Sequence, residues 1–190
     1  MTYVAPSPRH AGQRPARRVV PGRPTRQHCR VVLQHSAAEL QSWFESRMVP
    51  ADGGSRPRSS TDSQPSGPFV TVESLDVSRL LVRRGARPED LRPGAIISGP
   101  ALMSLADAAG WLMVVAHLPA GSDALTVDVS MQFLRSAPAA ELGAEVHLLR
   151  IGRRTAVVTV AITSALVTDG PVAHAVLTFA TRPPASAREA

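Results

Sequence analysis

The chain has 190 residues, enough for one domain with its own hydrophobic core, and a formal net charge of +6. All of that charge lies in the first third, because residues 1–66 hold ten arginines against four acids and residues 67–190 hold eleven of each. The chain has no lysine, which excludes a Walker-type phosphate loop and Schiff-base chemistry. Its one cysteine, Cys29, excludes an intrachain disulfide and a cysteine metal cluster and fits a reducing compartment.

Residues 1–35 are predicted to form a disordered tail rich in arginine and proline. No apolar signal segment is visible, and the prolines at 6, 8, 15, 21 and 24 argue against an amphipathic transit helix. Arginines could bind nucleic acid or anionic lipid, but Tyr3 is the one stacking aromatic in the first thirty residues. We therefore expect a disordered extension with no nucleic-acid or membrane partner, in a cytoplasmic protein.

A short amphipathic helix is predicted over residues 36–48. Ser36 followed by Glu39 has the spacing of a capping box. Apolar side chains then recur at helical spacing, at Leu40, Trp43, Phe44 and Met48. The helix should dock on another part of the chain. The turn-rich residues 49–67 that follow are predicted to be a flexible linker.

The folded domain is predicted over residues 68–183, with a C-terminal tail at 184–190. It opens with two short strands in FVTVESLDVSRLLVRRG and a turn-rich approach, ARPEDLRPGA. A very apolar helix follows, with Gly99 as N-cap and Pro100 in the first helical position, and continues to His117. The central Asp107 and the strands that follow argue against a membrane span here.

Four strands are predicted after that helix, at 126–135, 144–152, 154–166 and 171–182. Their connections are too short for parallel crossovers, so the pattern indicates an antiparallel meander. A helix that is apolar on all sides should be buried on all sides. The sequence therefore predicts an α+β fold in which a curved antiparallel sheet wraps a long central helix.

Asp107 is the exception within the apolar helix. Pro100, Met103, Asp107, Trp111 and Val114 fall along roughly one helix face. A buried carboxylate needs hydrogen-bond donors, a cation or a raised pKa, so the residue is either functional or an acid at an open rim or bonded to backbone amides. The backbone amide of Gly99, at the helix N-terminus, favours an anion or a polarised carbonyl oxygen. Together these are two of the parts needed for acyl-transfer hydrolysis.

Other chemistries lack their sequence patterns. Ser98-Gly99-Pro100 is not the nucleophile elbow of a serine hydrolase. No two histidines are spaced four apart, so neither a metal nor a cofactor is expected.

The run from Pro93 to Leu118, followed by TVDVSMQFLR, LLRIGRRTAVVTVAI and GPVAHAVLTFATR, resembles the PaaI-type hotdog thioesterases over about residues 70–182. The resemblance implies a long helix wrapped by an antiparallel sheet, in a homodimer or homotetramer with active sites across the dimer interface. It implies that Asp107 acts on an acyl-CoA thioester as general base or nucleophile. It also implies that the Gly99 amide polarises the thioester carbonyl and that Thr126 helps to position water.

This sequence departs from the family pattern at the helix approach. The family motif reads His-Gly-Gly, whereas this chain has Ser98-Gly99-Pro100, and the approach position often filled by Asn is Arg92. Ser98 and Arg92 are therefore candidate substrate-binding residues in place of the family's side chains.

The remaining candidates line the predicted pocket or bind the nucleotide. Arg135, Arg153 and Arg154 could hold CoA phosphates by bidentate contacts, or could simply be solvated. Ser104 could hydrogen-bond to Asp107 or to its own helix. Met103 and Trp111 are candidate pocket walls. His147 and His174 lie on strands and are predicted to be structural.

The leading hypothesis is a thioesterase that hydrolyses an acyl-CoA or aroyl-CoA, with coenzyme A present as part of the substrate. The alternative is a non-catalytic hotdog protein that binds acyl-CoA and regulates or scaffolds. A hydratase on the same fold is disfavoured because His117 lies ten residues beyond Asp107.

Overall fold

The computed structural model describes residues 31–48, 70–182 and 184. The tail prediction for residues 1–30, the linker prediction for 49–67 and the C-terminal residues 185–190 lie outside this part of the chain. The helices are α1 (Ala37–Met48) and α2 (Gly99–Val115). The strands are β1 (Thr71–Leu75), β2 (Arg79–Arg84), β3 (Leu91–Arg92), β4 (Ile96–Ile97), β5 (Asp123–Phe133), β6 (Leu142–Ile151), β7 (Thr155–Ser164) and β8 (Ala173–Arg182).

Six strands form one antiparallel sheet in the order β1-β2-β6-β7-β8-β5. The predicted α+β fold is confirmed, but the predicted four-strand meander is correct only for β6, β7 and β8. Strand β5 pairs with β8 and lies at the sheet edge instead of beside β6. The connection from β5 to β6 explains this, because Ala137 accepts a hydrogen bond from the Ile97 amide (2.8 Å) and so crosses beside the start of α2.

Helix α2 packs against β2, β5, β6, β7 and β8, and its buried side chains form the centre of the core. Gly110 allows the closest approach, because a Cβ there would lie 3.1 Å from Phe179 Cζ. The N-cap is Ser98 and not Gly99 as predicted, because the Ser98 hydroxyl can accept from the Ala101 amide (3.4 Å) and glycine has no side-chain acceptor. Across the described ranges, no helix is long and apolar enough to span a membrane.

Helix α1 begins with the predicted capping box. The Glu39 carboxylate accepts from the Ser36 amide (2.7 Å) and hydroxyl (2.8 Å), and the Glu39 amide donates to the Ser36 hydroxyl (3.3 Å). Leu40 and Phe44 are each 1% exposed, so α1 docks on the domain through its apolar face. The predicted tail extended to residue 35, but the amide of Gln34 donates to Ala116 O (2.8 Å), so residues just before α1 already pack against the end of α2.

Candidate active site

One face of α2 stays open, although the sequence predicted that the helix is buried on all sides. Pro100, Met103 and Ser104 are exposed, and Asp107 and Trp111 are half-buried. Val114, which the sequence placed on the same face, is fully buried. The face is open because β5 is an edge strand and, within residues 31–48 and 70–182, no further strand covers the helix beside it.

Asp107 is joined across this open face to β5. The Thr126 hydroxyl donates to Asp107 Oδ1 at 2.5 Å. The pairing of β5 with β8 shifts register between Thr126 and Asp128, so a bulge lies at the residues that face the carboxylate. Hydrogen bonds to a charged acceptor are short and strong, so this contact fixes the position of the carboxylate. The described residues provide no hydrogen bond between Ser104 and Asp107.

Gly99 occupies the first turn of α2. Within the described part of the chain, its amide donates no hydrogen bond. The ring of Phe133 covers one side of the residue, because a Cβ on Gly99 would lie 3.3 Å from Phe133 Cζ. A free amide at a helix N-terminus can bind the oxygen of an anion or a polarised carbonyl.

A buried ion pair that sequence reasoning missed holds the approach to Gly99. Arg84 on β2 donates through Nη2 to Asp90 Oδ1 and through Nη1 to Ala101 O (3.4 Å) in the first turn of α2. The carbonyl of Asp90 accepts from the Ser98 amide (2.8 Å). Burial lowers the pKa of Arg84, and the charge of Asp90 opposes that shift. The sequence signal for Arg84 was its place in the period of two after Leu80 and Val82 on the buried face of β2, and the signal for Asp90 was only an opposite charge nearby.

Trp111 closes the open face one helical turn beyond Asp107. Its indole N–H donates to Asp123 Oδ1 (3.3 Å) and to Ala124 O (3.2 Å) on β5. Trp43 of α1 stacks on Trp111 with ring centroids 5.2 Å apart, and Phe44 lies at 6.1 Å. Sequence reasoning missed Trp43 and Asp123 as parts of the site, although the apolar spacing in α1 did indicate that Trp43 would dock.

The two candidate catalytic groups are separated along α2. Asp107 and Gly99 are eight residues apart, which corresponds to about 12 Å of helix rise. A single thioester carbonyl cannot contact both groups of one chain at that separation. A second copy is therefore needed if both groups act on one substrate.

The three predicted phosphate-binding arginines do not lie together in one chain. Arg135 donates to Pro171 O (2.8 Å), near the pairing of Phe133 with Ala173. Arg153 and Arg154 lie at the β6–β7 turn, at the other end of the sheet, where the carbonyl of Arg154 accepts from the Thr181 amide (2.9 Å). From Ala173 to Thr181 is about 26 Å of strand. In one protomer, Arg135 and this pair cannot hold the same phosphate.

The other candidates have simpler surroundings. Arg92 is exposed on β3, and Ser98 caps α2. His147 Nε2 is hydrogen-bonded to Glu145 Oε1 (2.9 Å), and His174 is half-buried on β8. No cluster of three His, Cys, Asp or Glu side chains that could hold a metal ion occurs among the residues that the structure describes.

Comparison with known proteins gives a consistent family likeness. The thioesterase superfamily matches residues 94–166. A protein of Silicibacter sp. TM1040 assigned as a thioesterase superimposes with a TM-score of 0.66 at 25% identity, covering 80% of this chain and 96% of its own. A phenylacetic acid degradation-related protein of Ralstonia eutropha JMP134, also assigned as a thioesterase, superimposes with a TM-score of 0.55 at 25% identity. This superposition covers 58% of this chain and 83% of the Ralstonia protein. No curated protein sequence matches the chain.

The domain has the hotdog fold of thioesterases. A Streptococcus mutans protein bound to acetyl-CoA shares this fold, with a TM-score of 0.54 and 23% identity over 60% of this chain and 90% of its own. The resemblance expected from the sequence is therefore confirmed at the level of the thioesterase superfamily. In this hotdog domain, the superfamily match includes both the N-terminus of α2 and Asp107.

Proposed function

We propose that this hotdog protein hydrolyses acyl-CoA or aroyl-CoA thioesters of the PaaI type. The observation that carries the proposal is the half-buried Asp107 carboxylate, held by Thr126 on the one open face of a helix whose N-terminal amide is free. A carboxylate from one copy and a free amide from a second copy suit attack on a carbonyl whose oxygen becomes negative. The Streptococcus mutans relative bound to acetyl-CoA supports the choice of a CoA thioester.

In this proposal the thioester oxygen lies on the Gly99 amide and the carbonyl carbon faces Asp107. With Asp107 as general base, water adds to the carbon while its proton passes to the carboxylate, and the oxyanion is stabilised by the amide and the helix dipole. The intermediate then collapses, the C–S bond breaks, and the CoA sulfur takes the proton. With Asp107 as nucleophile, its carboxylate displaces CoA to form a mixed anhydride, which water hydrolyses.

We further propose that the site is formed by two copies, with Asp107 from one and Gly99 from the other. The separation of about 12 Å between the two groups in one chain supports this arrangement. Strand β5 has an unpaired edge and exposes Leu125 (42%), Val127 (60%) and Phe133 (52%). Such an edge suits pairing with the same edge of a second copy. Because CoA thioesters are intracellular metabolites, the proposal includes a cytoplasmic location.

The proposed activity is tested with purified protein and a panel of acyl-CoA and aroyl-CoA substrates, with free CoA measured through its thiol. Asp107→Asn should lower kcat by at least about 100-fold, because general-base catalysis contributes on that order. Asp169→Asn is the matched control, since Asp169 is an exposed acid in the β7–β8 turn, and its rate should stay unchanged. Turnover that is unaffected by Asp107→Asn would contradict the assignment of the carboxylate.

The approach motif favours one alternative, a protein that binds acyl-CoA without hydrolysing it. The Ser98 hydroxyl caps α2, and Pro100 has no amide to donate, so the Ser98-Gly99-Pro100 stretch offers fewer free donors than His-Gly-Gly would. Tight binding of CoA esters with no release of CoA by the wild type, and with no effect of Asp107→Asn on affinity, would support this alternative.

A further inference from the structure

The open face of α2 beside Asp107, called the groove from here on, is exposed at one end and closed at the other. Towards the N-terminus of α2, Pro100 and Met103 are exposed. In the other direction Trp111 bridges α2 and β5, and its indole N–H bonds to Asp123 and Ala124. The charged nucleotide of CoA needs solvent, whereas an acyl chain gains free energy by leaving it. A thioester at Asp107 would therefore direct its acyl group towards Trp111.

Trp111 is itself backed by α1, which lies outside the hotdog sheet. Trp43 stacks on Trp111 at 5.2 Å with an interplanar angle of 22°, and the His35 ring lies 6.2 Å from it. Helix α1 is fixed to the domain, because Gln41 donates to Val70 O (3.0 Å) and accepts from the Val72 amide (2.8 Å). The Trp43 ring is thus held as a wall rather than as a loosely packed side chain.

A cavity lies against Trp43. It has a volume of about 240 Å³ and is mainly apolar. Its lining consists of His35, Glu39, Leu40, Trp43, Val115 and residues 119–122. Val115 lies about one turn beyond Trp111, which lies about one turn beyond Asp107. The cavity is therefore further along α2 than Asp107, and Trp43, which lines it, stacks on Trp111.

We propose that Trp43 sets the maximum length of the acyl group by holding Trp111 across the groove. This inference rests on the proposed thioesterase function and assigns a specificity-determining role to α1. The substrate class that it predicts is a short or aromatic acyl group that ends at the Trp111 indole. Removing the Trp43 ring would take away the stacking support of Trp111, so that a longer acyl chain can displace the Trp111 indole towards the cavity.

The test compares kcat/KM across a series from acetyl-CoA to hexadecanoyl-CoA for wild type, Trp43→Phe and Trp43→Ala. For chains that the wild type rejects, Trp43→Ala should raise kcat/KM at least about tenfold, since one methylene in an apolar pocket is worth that much. Trp43→Phe should give a smaller shift, because a phenyl ring still stacks on Trp111. For acetyl-CoA, whose acyl group is too short to reach the Trp111 indole, the change in kcat/KM should be smaller than for the long chains. Ser42→Ala, an exposed change on the same helix, is the control.

If Trp43 had no such role, the dependence of kcat/KM on acyl chain length, here called the length profile, would be the same in all variants. That result would overturn the inference. Far-UV circular dichroism identifies any loss of α1, and a variant that loses helix but leaves the profile unchanged also counts against it. If the wild type hydrolyses no thioester, the proposed function fails separately. Intrinsic fluorescence then tests whether the two tryptophans limit the length of the bound acyl group. Trp43 and Trp111 are the only tryptophans in the sequence, and the quenching of their fluorescence by bound acyl-CoA should depend on acyl chain length.

Discussion

At the residue scale, the contact between Thr126 and Asp107 is the best-defined part of the site. Thr126→Val keeps the side-chain shape and removes the donor. Because a hydrogen bond to a charged group contributes about 1.5–3 kcal/mol, kcat/KM should fall by about 10-fold to 150-fold. Steady-state kinetics on the best substrate of the panel measure the loss. Ser130→Ala, also exposed on β5, should behave as wild type, and a Thr126→Val enzyme with full activity would contradict the role of this hydrogen bond.

A second residue-scale prediction concerns the ion pair between Arg84 and Asp90, whose side chains are 4% and 8% exposed. Arg84→Met leaves a buried carboxylate without its cation and should lower the free energy of unfolding by about 3–5 kcal/mol. Arg84→Met combined with Asp90→Leu should recover most of that loss, because an apolar pair has no desolvation cost.

Urea denaturation measures these differences. The matched control is Arg79→Met, which removes an exposed ion pair with Glu145 (49% and 35% exposed) and should cost about 1 kcal/mol or less. Equal effects of Arg84→Met and Arg79→Met would show that burial does not govern the energy of the Arg84 pair.

At the scale of elements, the acid stability of α1 depends on its capping box. Hydrogen bonds from the Ser36 amide and hydroxyl hold the pKa of Glu39 below its ordinary 4.5. A lowered pKa in the folded state means that the stabilisation is present above pH 4.5 and is lost as pH falls through the lowered value. Helix α1 should therefore loosen in acid, with a change in tryptophan fluorescence as the stack of Trp43 on Trp111 weakens.

Glu39→Gln is the control for this acid transition. In this variant α1 should already pack less firmly on the rest of the domain at neutral pH. Its fluorescence should lack the acid step that we expect of the wild type below pH 4.5. Identical acid transitions in the two proteins would assign the step to another carboxylate, such as Glu145, whose pKa is also lowered, by Arg79 and His147 against burial.

The elements themselves were predictable because each has a local pattern, but their partners were not. A long apolar run that begins at Gly99-Pro100 located α2, and segments rich in β-branched residues between turn signals located the long strands. The capping box located the start of α1. The pairing of β5 with β8 depends on where residues 134–141 cross the domain, and no local pattern encodes that path. The family resemblance indicated Asp107 and Thr126 as site residues, but it did not predict the direct hydrogen bond between them. The stack of Trp43 on Trp111 was not predictable either, because spacing shows only that a face is apolar and not which surface it meets.

At the scale of the whole molecule, two copies should share each active site, and mixing two inactive variants tests this. Asp107→Ala removes the carboxylate, and Gly99→Pro removes the amide. The backbone of the first turn of α2 accepts proline because Ser98 already has an extended ψ of 153°, although the Phe133 ring must shift by a few tenths of an ångström to make room for a Cβ. In a heterodimer of the two variants, one site keeps both Asp107 and Gly99. Random exchange should therefore restore about a quarter of wild-type activity in the mixture, as expected for a two-fold symmetric pair. The subunits are mixed under mild denaturation and refolded together, with each variant refolded alone as the control. A mixture as inactive as its separate components, with heterodimers verified by native mass spectrometry, would place both groups in the same chain's site.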